Sequence, residues 1–182
     1  PTSGDAPSGQ VKTCDASGMA MIHRLFRSGY GEASDLVRRV REGDRAHAGV
    51  VANHLAMLSA GLHSHHEGED QRLWPALEER APGCALHVAR MKDQHRAILA
   101  RVAELDSALP AWRASAGAVD AARVLGAVDG VNAALAVHLP DEEATIVPVM
   151  EYTITRAEVE WFAEHGRKAR PKGLMWPSLG MI

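Results

Sequence analysis

The sequence predicts an all-α protein: an up-down-up-down four-helix bundle built from a duplicated helical hairpin, followed by a short C-terminal helix and tail. Three observations carry that reading. Val51, Leu55, Leu58, Leu62, His65, Glu69 and Leu73 step by 4, 3, 4, 3, 4 and 4 residues, which is the inward stripe of an amphipathic helix. The same steps recur 73 residues later as Val124, Val128, Val131, Leu135, His138, Glu142 and Ile146. A second repeat, offset by 72, relates Ala16, Met19, His23, Phe26, Tyr30, Ala33 and Val37 to Val88, Met91, His95, Ile98, Val102, Leu105 and Leu109. Each repeat is therefore a hairpin with one apolar face, and two hairpins bury those faces most simply as a bundle.

Taken in order, the chain opens on a polar segment, 1–14, expected to be disordered. It lacks the charged start and apolar core of a signal peptide, so the expected location is the cytoplasm. The first helix begins at Asp15 or Ser17 and runs to Arg41, with Gly43 as its stop and Asp44 as the next N-cap. Gly29 and Gly31 weaken its middle. The second helix spans Asp44 to Leu73, and Pro75 opens a short turn that ends at Ala81-Pro82-Gly83. The third helix covers Cys84 to Leu109, where Pro110 starts a connection to Gly117. The fourth runs from Ala118 towards Val147 and closes a bundle over 15–150. In the C-terminal region, 151–182, Thr155-Arg156-Ala157-Glu158 reads as a capping box for a fifth helix through His165, stopped by Gly166. A basic run, Arg167 to Lys172, reads as a solvated connector. The apolar tail, Leu174 to Ile182, is a surface for a homodimer contact or for folding back on the bundle.

Composition limits the partners. At 182 residues the chain fits one domain of ordinary size. Its net charge of −3, with no long basic run, gives no nucleic-acid footprint. Charges interrupt the apolar stretches, so no membrane partner is expected. Two cysteines, Cys14 and Cys84, are too few for a disulfide framework and read as free thiols.

The chemistry lies on the inward stripes. His65 and Glu69 on the second helix, and His138 and Glu142 on the fourth, are four residues apart, a spacing that puts their Cβ atoms roughly 5–6 Å from each other on one face. His23 and His95 occupy matching positions on the first and third helices. Burying carboxylates and imidazoles without partners costs several kcal/mol each, and a bound cation is the simplest compensation. Register agrees in the first hairpin, where His23 lies 20 residues before Gly43 and His65 lies 22 after it. The second hairpin matches less well: His95 is 15 residues before Pro110 and His138 is 21 after Gly117. The longer connection is expected to absorb the difference.

The pattern H-x-x-x-E-E/D-x-x-x-x-P, present at His65 to Pro75 and again at His138 to Pro148, with a lone histidine upstream of each copy, resembles the hemerythrin-like (HHE cation-binding) family over residues 16 to 150. The resemblance implies a non-haem centre of two iron ions, oxo- or hydroxo-bridged and about 3.5–4 Å apart. His23, His65, His95 and His138 would then be terminal ligands and Glu69 and Glu142 the bridges. The implied function is binding of, or reaction with, dioxygen, peroxide or nitric oxide, as a stress-response enzyme or as a sensor. Ligand type alone also suits zinc and manganese. The chain has no E-x-x-H, the motif of ferritin-like di-iron sites. It departs from oxygen-carrying relatives at Met91, where those carriers have a histidine, so more coordination positions are expected to be open. Pro140 threatens the helix between His138 and Glu142, and Glu143 could bridge in place of Glu142. His66 and Asp70 are candidates for an additional ligand or for support of one. Tyr30, two turns from His23, is either a packed aromatic, a hydrogen-bond donor to the site or a phenolate ligand, and His47, His87 and His165 read as solvated.

Overall fold

The computed structural model describes residues 11–168, and every regular element among them is helical. Four long helices, α1 (Ser17–Arg39), α2 (Arg45–Gly68), α4 (Ala85–Ser115) and α5 (Ala118–Thr145), are joined by short elements. A π-helical turn, Glu69–Leu73, and a short helix, α3 (Trp74–Arg80), extend α2, and a single 3-10 turn, Pro82–Cys84, leads into α4. After α5 come α6 (Val147–Thr153) and α7 (Arg156–Lys168). The duplication reaches these short pieces, since Pro75 and Pro148 stand in the first turns of α3 and α6, where proline's missing N–H costs nothing.

Helix α1 packs on α2 and α5, and α4 packs on α2 and α5, so the four stripes face one interior. One apolar cluster fills one part of it, with Phe26, Tyr30, Leu58, Leu62, Ile98 and Leu135 among its members. A second, including Leu73, Trp74, Leu77, Met91, Ile146 and Met150, fills the other. The repeated histidines and glutamates lie in sequence between these two sets, and so between two dry layers. Gly29 serves the packing of α1 on α2: a Cβ there would come within 2.7 Å of Leu58 Cδ2. Helix α5 is long and apolar enough by composition to cross a membrane, a property the charge pattern had hidden. It packs between α1 and α4 and buries His138 and Glu142.

Several sequence boundaries shift. Helix α4 does not stop before Pro110 but continues to Ser115, and Trp112, beyond the proline, is only 1% exposed. The mismatch in the second hairpin disappears, because His95 now lies 20 residues before the end of α4 and His138 lies 20 after the start of α5. Helix α5 likewise runs through Pro140. Helix α7 continues past Gly166, where Arg167 pairs with Glu164 one turn earlier. Both expected caps are made: Asp44 accepts the His47 N–H at 3.0 Å, and Thr155 and Glu158 cap one another reciprocally. Of the segment expected to be disordered, the part over 11–14 is tied down, since the Thr13 N–H donates to the Glu151 carbonyl at 2.7 Å. Residues 1–10 and the apolar tail with its homodimer contact lie outside the described residues.

Candidate metal centre

Two clusters of metal-binding side chains meet in the interior. His23, His65, Glu69 and Glu142 each bring one ligand atom into a set whose members all lie within 4.8 Å of one another, and His66, His95 and His138 form a second set of the same kind. The carboxylates lie between the two. Glu69 places Oε1 3.2 Å from His65 Nε2 and Oε2 3.5 Å from His95 Nε2. Glu142 Oε2 is 3.3 Å from His23 Nε2 and 3.4 Å from His138 Nε2. All six residues of the implied ligand set are thus brought together.

The neighbouring histidines His65 and His66 explain how α2 serves both clusters. Successive helical residues point about 100° apart, and α2 lies between α1 and α4. His65 faces α1, with Nε2 3.3 Å from His23 Nε2, while His66 stacks on His95 with ring centroids 4.1 Å apart and meets the edge of His138. The sequence left His66 open between ligand and support; it is buried and its Nε2 has no hydrogen-bond partner. The π-helical turn then widens the helix at Glu69. Consecutive residues Glu69 and Asp70 both reach His95, one at each ring nitrogen.

The outer edges of three rings are held by hydrogen bonds. His23 Nδ1 is 2.9 Å from Glu143 Oε1, and Arg27 binds both oxygens of that carboxylate. His95 Nδ1 is 2.9 Å from Asp70 Oδ1, which also accepts from Trp74 Nε1. His138 Nδ1 is 3.0 Å from Gln94 Oε1, and Gln94 donates onward to Asp141, itself paired with Arg90. An Nδ1–H directed outward leaves Nε2 as a lone pair directed inward, the arrangement that supports metal-binding imidazoles. Glu143, partly exposed, meets the outer nitrogen of His23, while Glu142, fully buried, faces the cluster. Gln94 carried no signal in the sequence. Tyr30 stands apart: its hydroxyl faces Ser59 within the apolar layer, and burial pushes the phenol's pKa upward. His165 is not simply solvated, since it stacks on Trp161 and lies against Gly68 of α2.

Electrostatics prepare the site for a cation. Burial holds His65 at about 3 and His138 at about 4 and also lowers His66, so these rings are neutral at pH 7, as ligation requires. Burial works against protonation of His23 as well, but Glu142 and Glu143 outweigh it and raise its pKa. Burial and the neighbouring Glu142 charge raise Glu69. Glu142 itself is held low by His23 and the other imidazoles against the opposing effect of burial. Nε2 of His66, His95 and His138 and all four oxygens of Glu69 and Glu142 are buried without hydrogen-bond partners. Each such atom costs about 1–3 kcal/mol. Concentrated at one spot between dry layers, they fit a bound cation.

A helical bundle with buried imidazoles and carboxylates facing one another defines a cation-binding protein. Residues 16–150 match the family model of the hemerythrin HHE cation-binding domain, and the chain belongs to that family. No curated protein and no solved structure matches it.

Proposed function

We propose that the chain is a non-haem di-iron protein that binds or reacts with dioxygen, peroxide or nitric oxide, on an up-down-up-down arrangement of α1, α2, α4 and α5. The observation that carries this reading is the position of Glu69 and Glu142, each a buried carboxylate within reach of imidazoles from both clusters. On this reading His23 and His65 hold one ion, His66, His95 and His138 hold the other, and the two glutamates join them. His66 then supplies from α2 the imidazole that Met91 does not supply from α4. Membership of the hemerythrin family supports iron over zinc or manganese, which the same ligands would also suit.

When bound, such a pair of ions supplies redox and Lewis-acid chemistry towards an oxygen-containing ligand. The chain's own part is to present buried imidazoles, to fix the rings of His23, His95 and His138 through Glu143, Asp70 and Gln94, and to exclude water with the two apolar layers. The test is metal content per chain in protein grown with iron, with visible absorption recorded before and after dithionite and then peroxide. Two irons per chain, with an absorption that bleaches and returns, are expected. Zinc alone, or less than half an equivalent of metal, would remove the redox reading.

One contact favours a sensor as a second reading. Helix α7 closes on α2 at Gly68, where a Cβ would meet His165 at 3.3 Å and Phe162 at 3.5 Å, directly beside Glu69. A sensor would change the protease sensitivity of its C-terminal region with metal state and would not turn over peroxide.

A further inference from the structure

A cavity of about 560 Å³ lies between α1, α2 and α7, and His65 and Glu69 are part of its lining. Among the members of the two clusters, His65 alone is half-buried rather than buried, so this cavity is the side from which the cluster is reached. Its size is informative. A water occupies about 30 Å³ of liquid, and dioxygen or hydrogen peroxide needs little more, whereas organic ligands occupy sites of roughly 300–1,000 Å³. Ile22, Phe26, Leu58 and Phe162 give it apolar walls, and Gly61 contributes no side chain. Against these walls stand polar atoms without partners: Ser64 Oγ, on a residue 4% exposed, and the carboxylate oxygens of Glu69, 2% exposed. An unpaired buried hydroxyl beside a cation-binding cluster, at the edge of an apolar space, calls for a ligand with one polar head and a hydrocarbon body.

We propose that this cavity is the substrate site of the centre and takes an apolar organic hydroperoxide, its head at Ser64, His65 and Glu69 and its body along Phe26, Leu58 and Phe162. The inference rests on the metal-centre reading and names the class of molecule that centre receives. The apolar walls suit an uncharged body, with Asp15 and Arg167 also in the lining, and a ligand without a hydrogen-bonding head would leave Ser64 unpaired.

The test uses 1-octanol as an unreactive probe, titrated calorimetrically into the full metal-loaded chain, with metal content measured on the same sample. Saturable binding of one octanol per chain is expected. Ser64→Ala is expected to weaken it about threefold to tenfold, the worth of one neutral hydrogen bond. Gly61→Leu should weaken it at least about tenfold by filling the cavity; a Cβ at this position meets only Phe26, at an ordinary 3.7 Å. Metal-loaded protein that shows no saturable octanol binding, or the same affinity in wild type and Ser64→Ala, overturns the cavity proposal and leaves the centre intact. Protein that holds no metal overturns the centre, and the substrate assignment with it.

Discussion

Asp70 accepts the Nδ1–H of His95 at 2.9 Å and the Trp74 indole N–H at 2.7 Å on the same oxygen. The ring of His95 is thereby fixed from behind, with Nε2 turned towards Glu69. Burial alone would raise the pKa of Asp70, but His95 and Trp74 hold it below the ordinary carboxylate value, so it stays an acceptor at neutral pH. Removing such an orienting partner commonly costs about 10- to 100-fold in metal affinity. Asp70→Ala is expected to lose that much in competition with a chromophoric chelator while still folding. Unchanged affinity would mean that ring orientation is set by packing alone.

The adjacent acids on α5 are expected to behave differently. Glu142 is fully buried among imidazoles, whereas the side chain of Glu143 is 31% exposed and bound by Arg27. Glu142→Gln should fall below two metals per chain. Glu143→Gln should keep two metals per chain with affinity lowered about tenfold or more, since only the hold on His23 is weakened. The opposite pattern, with Glu143→Gln losing an ion, would make Glu143 the carboxylate that joins the pair.

In chelator-treated protein the buried histidines set a pH dependence. His138 is held at about 4 against an ordinary 6.5, chiefly by burial. Between these values the unfolded chain binds a proton that the native ring refuses, so stability rises with pH across this window and is lost as pH falls from 6.5 towards 4. His65, at about 3, acts in the same direction. His23 opposes them, because its raised pKa contributes stability below 6.5 that is lost as pH climbs through the folded value. His138→Leu, which removes this proton difference, should reduce the slope of urea-derived stability between pH 4.5 and 6 by roughly 1 kcal/mol per pH unit. An unaltered slope would show that His138 titrates normally when metal-free.

Much of this centre was legible because the chain states it twice. The inward stripe was read from steps of three and four, and each residue on the third-helix stripe from Val88 to Leu109 is buried. What stayed open for His66 and Asp70, and escaped for Gln94, lies off that period. His66 is one residue from the stripe, and only the position of α2 between α1 and α4 turns it inward. Asp70 reaches His95 because a π-helical turn replaces the regular spacing, and no residue pattern announced that turn. Gln94 touches His138 across two helices, a contact that spacing within one helix does not encode. Tyr30 was the converse case, since it is on the stripe but two turns into the apolar layer.

Pro110 shows a local signal overruled by packing. Proline inside a helix costs about 3 kcal/mol through the lost hydrogen bond and the clash with the preceding turn, which is why the third helix was expected to end there. Ending it would leave Trp112 outside the core. That side chain is 1% exposed, and truncating a buried tryptophan costs about 3–5 kcal/mol, so burial outweighs the break. Pro110 itself is exposed, which lets the distortion fall on the solvent side. Ala116, with φ at 47°, then reverses the chain into α5. Pro110→Ala should therefore stabilise the protein by about 1–3 kcal/mol, while Trp112→Ala should cost about 3–5 kcal/mol, both read from urea unfolding midpoints at fixed metal content. If Pro110→Ala left stability unchanged or lowered it, α4 would have to break at the proline. His95 and His138 would then lose the matched 20-residue spacing from the connection that puts them at one level.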